Sequence, residues 1–219
     1  MTSLSAYIDH TLLAANASET QIRKLCEEAW IHQFKAVCVA PAYVAYTAEM
    51  LEFCPVKIEI ATVVGFPFGY STAATKIFEA NNALENGATE LDVVMNIAQF
   101  KSMAYLSVRE ELSQIAALAH ERNAMIKVII ETAYLDSFDI YTACEICAES
   151  NADFVKTSTG FGPQGADADI VRKMRSILPP HVKIKASGGI KTREQAIAMI
   201  DAGAERIGTS AGVTIVSAV

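Results

Sequence analysis

The chain has 219 residues, of which 52% are hydrophobic, and it carries a formal net charge of −7. This length favours one substantial hydrophobic core over two full domains, and the apolar content is typical of a sheet covered on both faces. The acidic balance argues against a general nucleic-acid binder, because such proteins owe their affinity to basic patches that release counterions.

Apolar, β-branched segments recur along the chain with room for helices between them. In chain order the eight strand candidates are YIDHTLL, KAVCVA, KIEIATVVGF, ELDVVMN, MIKVIIE, DFVKTSTG, VKIKASGG and ERIGTSAG. Helices are predicted where apolar residues return every three or four positions, in SETQIRKLCEEAWIHQ, STAATKIFEANNALENG, LSVREELSQIAALAHERN and TREQAIAMIDAG. This alternation implies βαβ units and a parallel sheet. Eight repeats favour an α/β fold of the (β/α)8 TIM barrel type over an open doubly wound sheet.

Turn and capping residues support these boundaries. Ser18 is a predicted N-cap of the first long helix, and Asn86-Gly87 and Ala202-Gly203 are predicted helix stops. Only GVTIVSAV follows the last strand candidate, so the final helix is predicted to be short or missing. Because no linker rich in Pro, Gly or Ser divides the chain, we expect residues 1–219 to form a single barrel domain.

No segment predicts membrane insertion or secretion. Apolar runs such as VVGFPF and VIIE are of strand length, far below the roughly 18 consecutive apolar residues of a spanning helix. The first ten residues, MTSLSAYIDH, lack the basic and then apolar layout of a secretory signal. We therefore expect a cytoplasmic protein without membrane contact.

Cysteine and histidine spacing gives no sign of a metal site. Cys144 and Cys147 form a CxxC within a helical pattern that lacks a second CxxC or a nearby His pair, which favours helix packing over zinc or redox work. The odd number of cysteines in apolar contexts predicts reduced thiols. The four histidines are scattered without ligand spacing: His10, His32, His120 and His181.

Charged residues interrupt four neighbouring strand candidates. Active sites of this fold lie at the carboxyl ends of the strands, so a polar residue late in a strand is a candidate for chemistry. An ionised lysine there is costly without water, a partner or a changed pKa. Alternatively, each lysine reaches solvent from a strand end or forms a buried ion pair with Asp92 or Glu131. The residues concerned are Asp92, Lys127, Lys156 and Lys185.

Two of these lysines favour a covalent mechanism. Lys156 and Lys185 lie on adjacent predicted strands and are expected to project toward one another. A neighbouring ammonium lowers the pKa of a lysine, and the neutral amine can then attack a carbonyl to form a Schiff base. The protonated imine accepts electrons from a breaking carbon–carbon bond, and a carboxylate such as Asp92 can relay protons. The residues alone leave open which lysine is the nucleophile.

Glycine and hydroxyl residues follow the last three strand candidates. Barrel phosphate sites commonly use these loops and a helix N-terminus, because glycine permits close backbone approach. One Gly pair is more often a turn, but three such loops at successive strand ends favour a phosphate cradle. Lys191 could add positive charge, or could be a solvated residue at a helix start. The predicted cradle contains Thr159, Gly160, Gly188, Gly189, Gly208, Thr209 and Ser210.

The strand segments resemble, in the same order, those of the deoxyribose-phosphate aldolase family. The segments are YIDHTLL, AVCVAP, VVGFPFG, ELDVVMN, KVIIET, FVKTSTGF, IKASGGI and IGTSAG, and together they cover the chain nearly end to end. The resemblance implies a class I aldolase on a (β/α)8 barrel. Such enzymes reversibly cleave 2-deoxy-D-ribose 5-phosphate to D-glyceraldehyde 3-phosphate and acetaldehyde, with no metal or organic cofactor.

The resemblance also assigns residues. Lys156 matches the lysine that forms the Schiff base, Lys185 the second lysine that tunes it and takes part in proton transfer, and Asp92 the aspartate of the proton relay. Lys127 and Asp9 match supporting residues of the polar network. The positions that match the surroundings of the substrate phosphate are Thr159, Gly160, Gly188, Gly189, Gly208 and Ser210.

Two features depart from the family pattern. Phe161 follows Gly160 where some family members have a lysine, which removes one potential phosphate contact. The following loop reads GPQGAD where related sequences often have GGAT. Both changes bear on phosphate binding and leave the matched catalytic residues unchanged.

The expected partners are small molecules, a sugar phosphate and aldehydes, with no nucleic acid and no membrane. The sequence leaves a homo-oligomer open. Two alternatives remain. One is another sugar-phosphate barrel lyase or isomerase in which the lysines act only electrostatically. The other is a non-catalytic sugar-phosphate binding protein in which the lysines merely neutralise the phosphate.

Overall fold

The structure is a computed structural model that describes residues 3–218. Within that range eight parallel strands pair in sequence order, and the eighth pairs with the first, which closes a barrel. Each strand lies inside one of the eight predicted segments, and the predicted (β/α)8 TIM barrel is confirmed. Strands β1 to β8 are Ile8–Leu12, Ala36–Val39, Glu59–Val64, Glu90–Val94, Met125–Ile129, Phe154–Lys156, Lys183–Ser187 and Arg206–Thr209.

Helices follow the strands and surround the barrel. Three short 3-10 helices, Leu4–Tyr7, Pro41–Tyr43 and Thr132–Tyr134, lie in the connections. None of the helices within residues 3–218 is both long and apolar enough to cross a membrane. Helices α1 to α9 are Glu19–His32, Val44–Leu51, Ala73–Glu85, Ile97–Lys101, Tyr105–Glu121, Ser137–Glu149, Ala168–Ile177, Arg193–Asp201 and Gly212–Ser217.

The first long helix shows why these segments are helical. Ser18 is its N-cap, and the Ser18 backbone N–H donates to Gln21 Oε1 at 2.9 Å. Ile22, Leu25 and Ala29 recur at helical spacing and are buried against the barrel. The helix is therefore fixed by an N-terminal cap and by an apolar stripe on one face.

Glycines end two of the predicted helices. Helix α3 ends at Glu85, two residues before Gly87, and α8 ends at Asp201, two residues before Gly203. Gly203 has φ +110°, and a Cβ there would lie 2.9 Å from Arg175 Cγ. This position therefore needs glycine both for its backbone conformation and for the close approach of the Arg175 side chain.

The closing helix is short. Helix α9 contains six residues, in agreement with the prediction of a short final helix. It packs against β1 and α1, where a Cβ on Gly212 would lie 2.9 Å from His10 Nδ1. Helix α9 thus packs on the barrel beside β1, in contact with α1 and α8.

The CxxC lies within α6 and faces the core. Cys144 and Cys147 are both fully buried, and burial raises the pKa of both thiols, that of Cys144 to about 12. At this burial both cysteines act as small apolar side chains between the helix and the barrel. This placement agrees with helix packing.

Candidate active site

The interior of the barrel contains a cluster of seven buried charged side chains. None of them is more than 4% exposed. Such a group is stable only if every charge has a partner, because each ion has lost most of its hydration. The members are the cations Lys127, Lys156, Lys185 and Arg206 and the carboxylates Asp9, Glu90 and Asp92.

Asp92 joins three of the lysines. Lys127 Nζ donates to Asp92 Oδ1 at 2.8 Å, while Lys156 Nζ and Lys185 Nζ each donate to Asp92 Oδ2 at 2.7 Å. The two amine nitrogens that share Oδ2 are therefore at most twice 2.7 Å apart. At that separation the charge on one lysine acts directly on the proton affinity of the other.

Strand register explains this convergence. Asp92 lies beside Lys127 across the β4–β5 pair, and Lys156 lies beside Lys185 across the β6–β7 pair. Side chains of one parity point into the barrel, so four successive strands direct these groups to one point.

The depth of the cluster differs from the sequence prediction. Lys156 is the last residue of β6, as expected for a site at the barrel mouth. Asp92, Lys127 and Lys185 are instead the third residues of five-residue strands. The cluster thus extends from the mouth into the interior, because the carboxylates and lysines satisfy one another without solvent.

The lower part of the cluster contains two residues that sequence reasoning missed. Arg206, the first residue of β8, binds Asp9 through Nε at 2.6 Å and binds Glu90 through two guanidinium nitrogens at 3.0 and 2.8 Å. Lys127 Nζ lies 2.6 Å from Glu90 Oε2, and Lys185 Nζ lies 2.5 Å from Asp9 Oδ2. The matched supporting residues, Lys127 and Asp9, thus connect the upper lysines to a buried arginine.

The two lysines that share Asp92 Oδ2 have pKa values shifted in opposite directions. Burial lowers the pKa of Lys156, and the charge of Lys185 lowers it further, against the opposing effect of Asp92. Burial also opposes the charge of Lys185, but Asp9 and Asp92 together raise its pKa. Lys156 is therefore the amine that more readily loses its proton, while Lys185 remains an ammonium.

A charge count for the cluster agrees with this difference. Burial alone would raise the pKa of Asp92, but Lys127, Lys156 and Lys185 hold it well below its usual range. Lys185 and Arg206 similarly overcome burial at Asp9 and lower its pKa to about 2. With all seven groups ionised, four cations face three carboxylates. Loss of one proton from Lys156 balances the cluster.

Lys156 opens onto a cavity of about 400 Å³ at the carboxyl ends of the strands. Lys185 and Asp92 lie behind it and do not line this space. All of the predicted cradle residues do line it: Thr159, Gly160, Gly188, Gly189, Gly208, Thr209 and Ser210. Lys191 also lines it, so a positive side chain and glycine-rich backbone lie in one cavity with the Lys156 amine.

Hydrogen bonds between the residues that follow β6 and the end of β7 shape this cavity. The Thr157 hydroxyl donates to the Ser187 carbonyl at 3.2 Å and lies 3.1 Å from the Ser187 backbone N–H. The Ser187 hydroxyl donates to the Ser158 carbonyl at 2.6 Å. A Cβ on Gly208 would lie 2.9 Å from Ser187 Cβ and 3.0 Å from Lys185 Cε. A side chain at position 208 would therefore crowd Lys185, and glycine there leaves room for the Lys185 side chain.

Cys38 also lies within the barrel. It is fully buried beside Ala61 and Val63, in a small apolar cluster that also contacts Leu13 and Phe66. Burial raises the pKa of its thiol, and the charge of Asp92 raises it further. The neutral thiol is one of the apolar surfaces around the charged cluster.

A second cavity of about 440 Å³ adjoins the first and has a more aromatic lining. Thr159 and Phe161 line both cavities, and Glu131 lines the second. Phe161 is half-exposed and makes an edge-to-face contact with Phe66, with ring centroids 5.2 Å apart. Phe161 therefore separates the glycine-rich cavity from the aromatic one.

Glu131 is buried but is not an ion-pair partner of the lysines, which was one alternative for it. Its Oε2 accepts from the Thr159 backbone N–H at 3.0 Å and from the Thr159 hydroxyl. No sequence pattern predicts this contact, because Glu131 follows β5 and Thr159 follows β6. No group of three or more His, Cys, Asp or Glu side chains within residues 3–218 is arranged to hold a metal ion.

Comparisons with known proteins agree on one family. Residues 4–218 match the model of the DeoC/LacD family aldolases. The deoxyribose-phosphate aldolase of Thermococcus gammatolerans is 49% identical over 213 residues, which cover 97% of this chain and 95% of the relative. Among solved structures, an aldolase called QR15 superposes with a TM-score of 0.93 at 42% identity, covering 99% of this chain and 95% of its own.

A third relative adds an assembly state for comparison. The deoxyribose-phosphate aldolase of Aeropyrum pernix, described as having a unique tetrameric structure, superposes with a TM-score of 0.90 at 36% identity. The match covers 97% of this chain and 89% of the relative.

Proposed function

The chain belongs to the DeoC/LacD family of aldolases, and from this premise we propose that it cleaves 2-deoxy-D-ribose 5-phosphate through a lysine Schiff base. The products are D-glyceraldehyde 3-phosphate and acetaldehyde, and the reaction is reversible. The observation that carries the proposal is the position of Lys156. Among the three lysines bound to Asp92, Lys156 alone lines the cavity, and its pKa is lowered.

The proposed reaction begins at the carbonyl carbon of the open-chain sugar. The neutral amine of Lys156 attacks C1, and the carbinolamine takes up a proton, which Lys185 can supply, and loses water to give a protonated imine. A base takes the proton of the C3 hydroxyl, the C2–C3 bond breaks, and its electron pair moves into the C1–C2 enamine. Glyceraldehyde 3-phosphate leaves, C2 takes up a proton, and hydrolysis of the imine releases acetaldehyde and restores the amine.

Lys185 and Asp92 have supporting roles in this scheme. Lys185 remains positively charged, so it favours the neutral form of Lys156 and can supply a proton during the reaction. Asp92 accepts from both amines at one oxygen, so it holds them in place and provides a route for protons between them and the substrate. Lys127 and Asp9 hold Asp92 and Lys185 in these positions.

The glycine-rich wall of the cavity is the proposed phosphate site. Backbone N–H groups at such loops can approach phosphate oxygens closely, and hydroxyl groups add further donors. Lys191 supplies positive charge on the same wall. The proposed contacts are Thr159, Gly160, Gly188, Gly189, Gly208 and Ser210, which all line the cavity that contains the Lys156 amine.

We propose that the barrel acts as a single catalytic domain in the cytoplasm, in deoxyribonucleoside catabolism, with neither a metal nor an organic cofactor. The tetrameric relative supports a homo-oligomer here, as do large apolar side chains on the surface, among them Phe53 and Phe78.

Borohydride trapping tests the proposed function. Acetaldehyde and the protein should form an imine at Lys156, and borohydride should reduce it to a stable N-ethyl lysine that peptide mass mapping locates. A protein that cleaves the substrate but carries no adduct on Lys156 would contradict the Schiff base and favour electrostatic lysines. Thermal stabilisation by the sugar phosphate without product formation would instead indicate a binding protein.

A further inference from the structure

Glu131 occupies an unusual position at the end of β5. Its backbone has φ +50°, a left-handed conformation that is uncommon for residues other than glycine. Its side chain is only 2% exposed, and its Oε1 atom has no hydrogen-bond partner among the described residues. A buried carboxylate with one unpaired oxygen costs stability, so its remaining contacts are candidates for a functional role.

The side-chain hydrogen bonds of Glu131 among the described residues both go to Thr159 in the neighbouring loop. Both the backbone N–H and the hydroxyl of Thr159 donate to Glu131 Oε2, the former at 3.0 Å. Because the Thr159 hydroxyl donates to the carboxylate, its lone pairs are free, and it accepts from the Phe161 backbone N–H at 3.0 Å. One carboxylate oxygen therefore fixes the Thr159 rotamer and, through it, the turn from Thr159 to Phe161.

This turn forms one wall of the proposed phosphate site. Thr159, Gly160 and Phe161 line the cavity, and Gly188 lies on the facing wall. The approach is close, since a Cβ on Gly160 would lie 3.9 Å from Gly188 Cα. A small movement of the turn therefore changes the width of the cavity where the phosphate is expected.

The turn is held independently of the reactive amine. Lys156 is bound by Asp92, whereas the hydrogen bonds of Glu131 go to Thr159. Loss of the Glu131 carboxylate should thus alter the cradle and leave the lysine cluster in place.

We infer that Glu131 is a positioning residue for phosphate recognition, which holds the turn from Thr159 to Phe161 in the shape that binds the substrate phosphate. This inference rests on the proposed function. It concerns the phosphate group, so it predicts an effect on phosphorylated substrate that is absent for 2-deoxyribose, which lacks the phosphate.

The experiment compares these two substrates in Glu131→Ala. We expect KM for 2-deoxyribose 5-phosphate to rise about tenfold, with kcat within about threefold of the parent. A tenfold rise corresponds to the loss of one hydrogen bond between the displaced turn and the charged phosphate. The kcat/KM for 2-deoxyribose should stay within about threefold. An equal fall in kcat/KM for both substrates would overturn the inference.

Two further variants keep the test independent of folding. Glu131→Gln retains a carbonyl acceptor, so it should recover most of the affinity for phosphorylated substrate. Thr159→Val removes the hydroxyl that joins Glu131 to Phe161 and should raise the same KM. The double variant of Glu131→Ala and Thr159→Val should raise KM by less than the product of the two single effects, because both changes remove the hydrogen bond from the Thr159 hydroxyl to Glu131. A rise equal to that product would contradict this coupling.

Asp153→Ala is a matched control from the opposite end of the same strand pair. Asp153 Oδ2 accepts from the Ile126 backbone N–H at 2.8 Å and joins the start of β6 to β5. The control should lower stability without separating the two substrates, and a KM rise confined to phosphorylated substrate in Asp153→Ala would also overturn the inference.

Acetaldehyde trapping, which needs no phosphate, separates the proposed Schiff-base function from the proposed role of Glu131. If the parent is not trapped at Lys156 the proposed function fails, and if parent and Glu131→Ala are trapped equally but the substrates show no difference, only this inference fails.

Discussion

The amine nitrogens of Lys156 and Lys185 lie at most twice 2.7 Å apart, because both donate to one oxygen of Asp92. Two lysines this close cannot both hold a proton without cost, and their surroundings decide which one gives it up. Within residues 3–218, Lys185 has two carboxylate partners, whereas Lys156 forms an ion pair with Asp92 alone and opens onto the cavity. This asymmetry assigns different protonation states to chemically identical side chains.

Replacement of Lys156 by arginine separates charge from nucleophilicity. Lys156→Arg keeps a cation beside Asp92 but removes the amine that we propose forms the imine, so cleavage of 2-deoxyribose 5-phosphate should fall by roughly 10⁴-fold or more. A coupled assay for acetaldehyde release measures this loss. Lys183→Arg is the matched control, since Lys183 is exposed at the other end of β7 and should retain full activity. Near-normal cleavage by Lys156→Arg would exclude the covalent mechanism.

Replacement of Lys185 tests how the pKa of Lys156 is set. Lys185→Met removes a cation that lowers the pKa of Lys156 and leaves Asp92 free to pair more strongly with Lys156. Both effects raise this pKa, so the rate of imine formation should need a pH about one unit higher. Borohydride trapping with acetaldehyde over a pH series measures the midpoint. An unchanged or lower midpoint would show that Lys185 does not control Lys156.

The sequence predicted Asp92 and the three lysines of this cluster, and the family resemblance added Asp9, but Arg206 and Glu90 were missed. Alternating strands and helices predict the barrel, and side-chain parity directs Asp92 and Lys156 inward from β4 and β6, the two strands that flank β5. Parity does not predict contacts across the interior. Arg206 and Glu90 lie on opposite sides of the barrel, and their contact depends on strand tilt and stagger, which single residues do not encode.

Glu131 shows a second limit of the sequence. From the sequence, an ion pair with a buried lysine was one alternative for this carboxylate, and nothing indicated a contact with the next loop. The observed pairing with Thr159 depends on the left-handed backbone at Glu131, which turns the side chain toward the neighbouring loop. Local sequence gave no sign of this conformation, because glycine and asparagine are the residues that usually mark it.

Acid unfolding should report the buried network through Asp9. Its folded pKa is about 2 and its ordinary value is 3.8, so the folded state favours the ionised form. The resulting stability is fully present above about pH 4 and is lost as the pH falls toward 2, with a magnitude of about 2 kcal/mol. Urea unfolding at a series of pH values measures the slope. Asp9→Asn should flatten it, whereas Asp169→Asn, which alters an exposed carboxylate in α7, should not.

Phe161 provides a test of phosphate affinity by addition of charge. Its side chain is 55% exposed and lines the cavity beside Gly160, so a longer polar side chain can be accommodated there. Phe161→Lys places a cation at the proposed phosphate site and should lower KM for 2-deoxyribose 5-phosphate about fivefold at low salt, an effect that added salt reduces. The backbone N–H of residue 161 still donates to Thr159, so the turn itself should persist.

The control for this substitution is Phe161→Leu, which removes the edge-to-face contact with Phe66 without adding charge. Phe161→Leu should leave KM within about twofold, because an exposed aromatic contact contributes little to the cavity wall. Steady-state kinetics with 2-deoxyribose should show no gain for Phe161→Lys, since that substrate has no phosphate to attract. A gain on both substrates would mean that the lysine acts on the reactive centre, and no gain on either would place the phosphate away from Gly160.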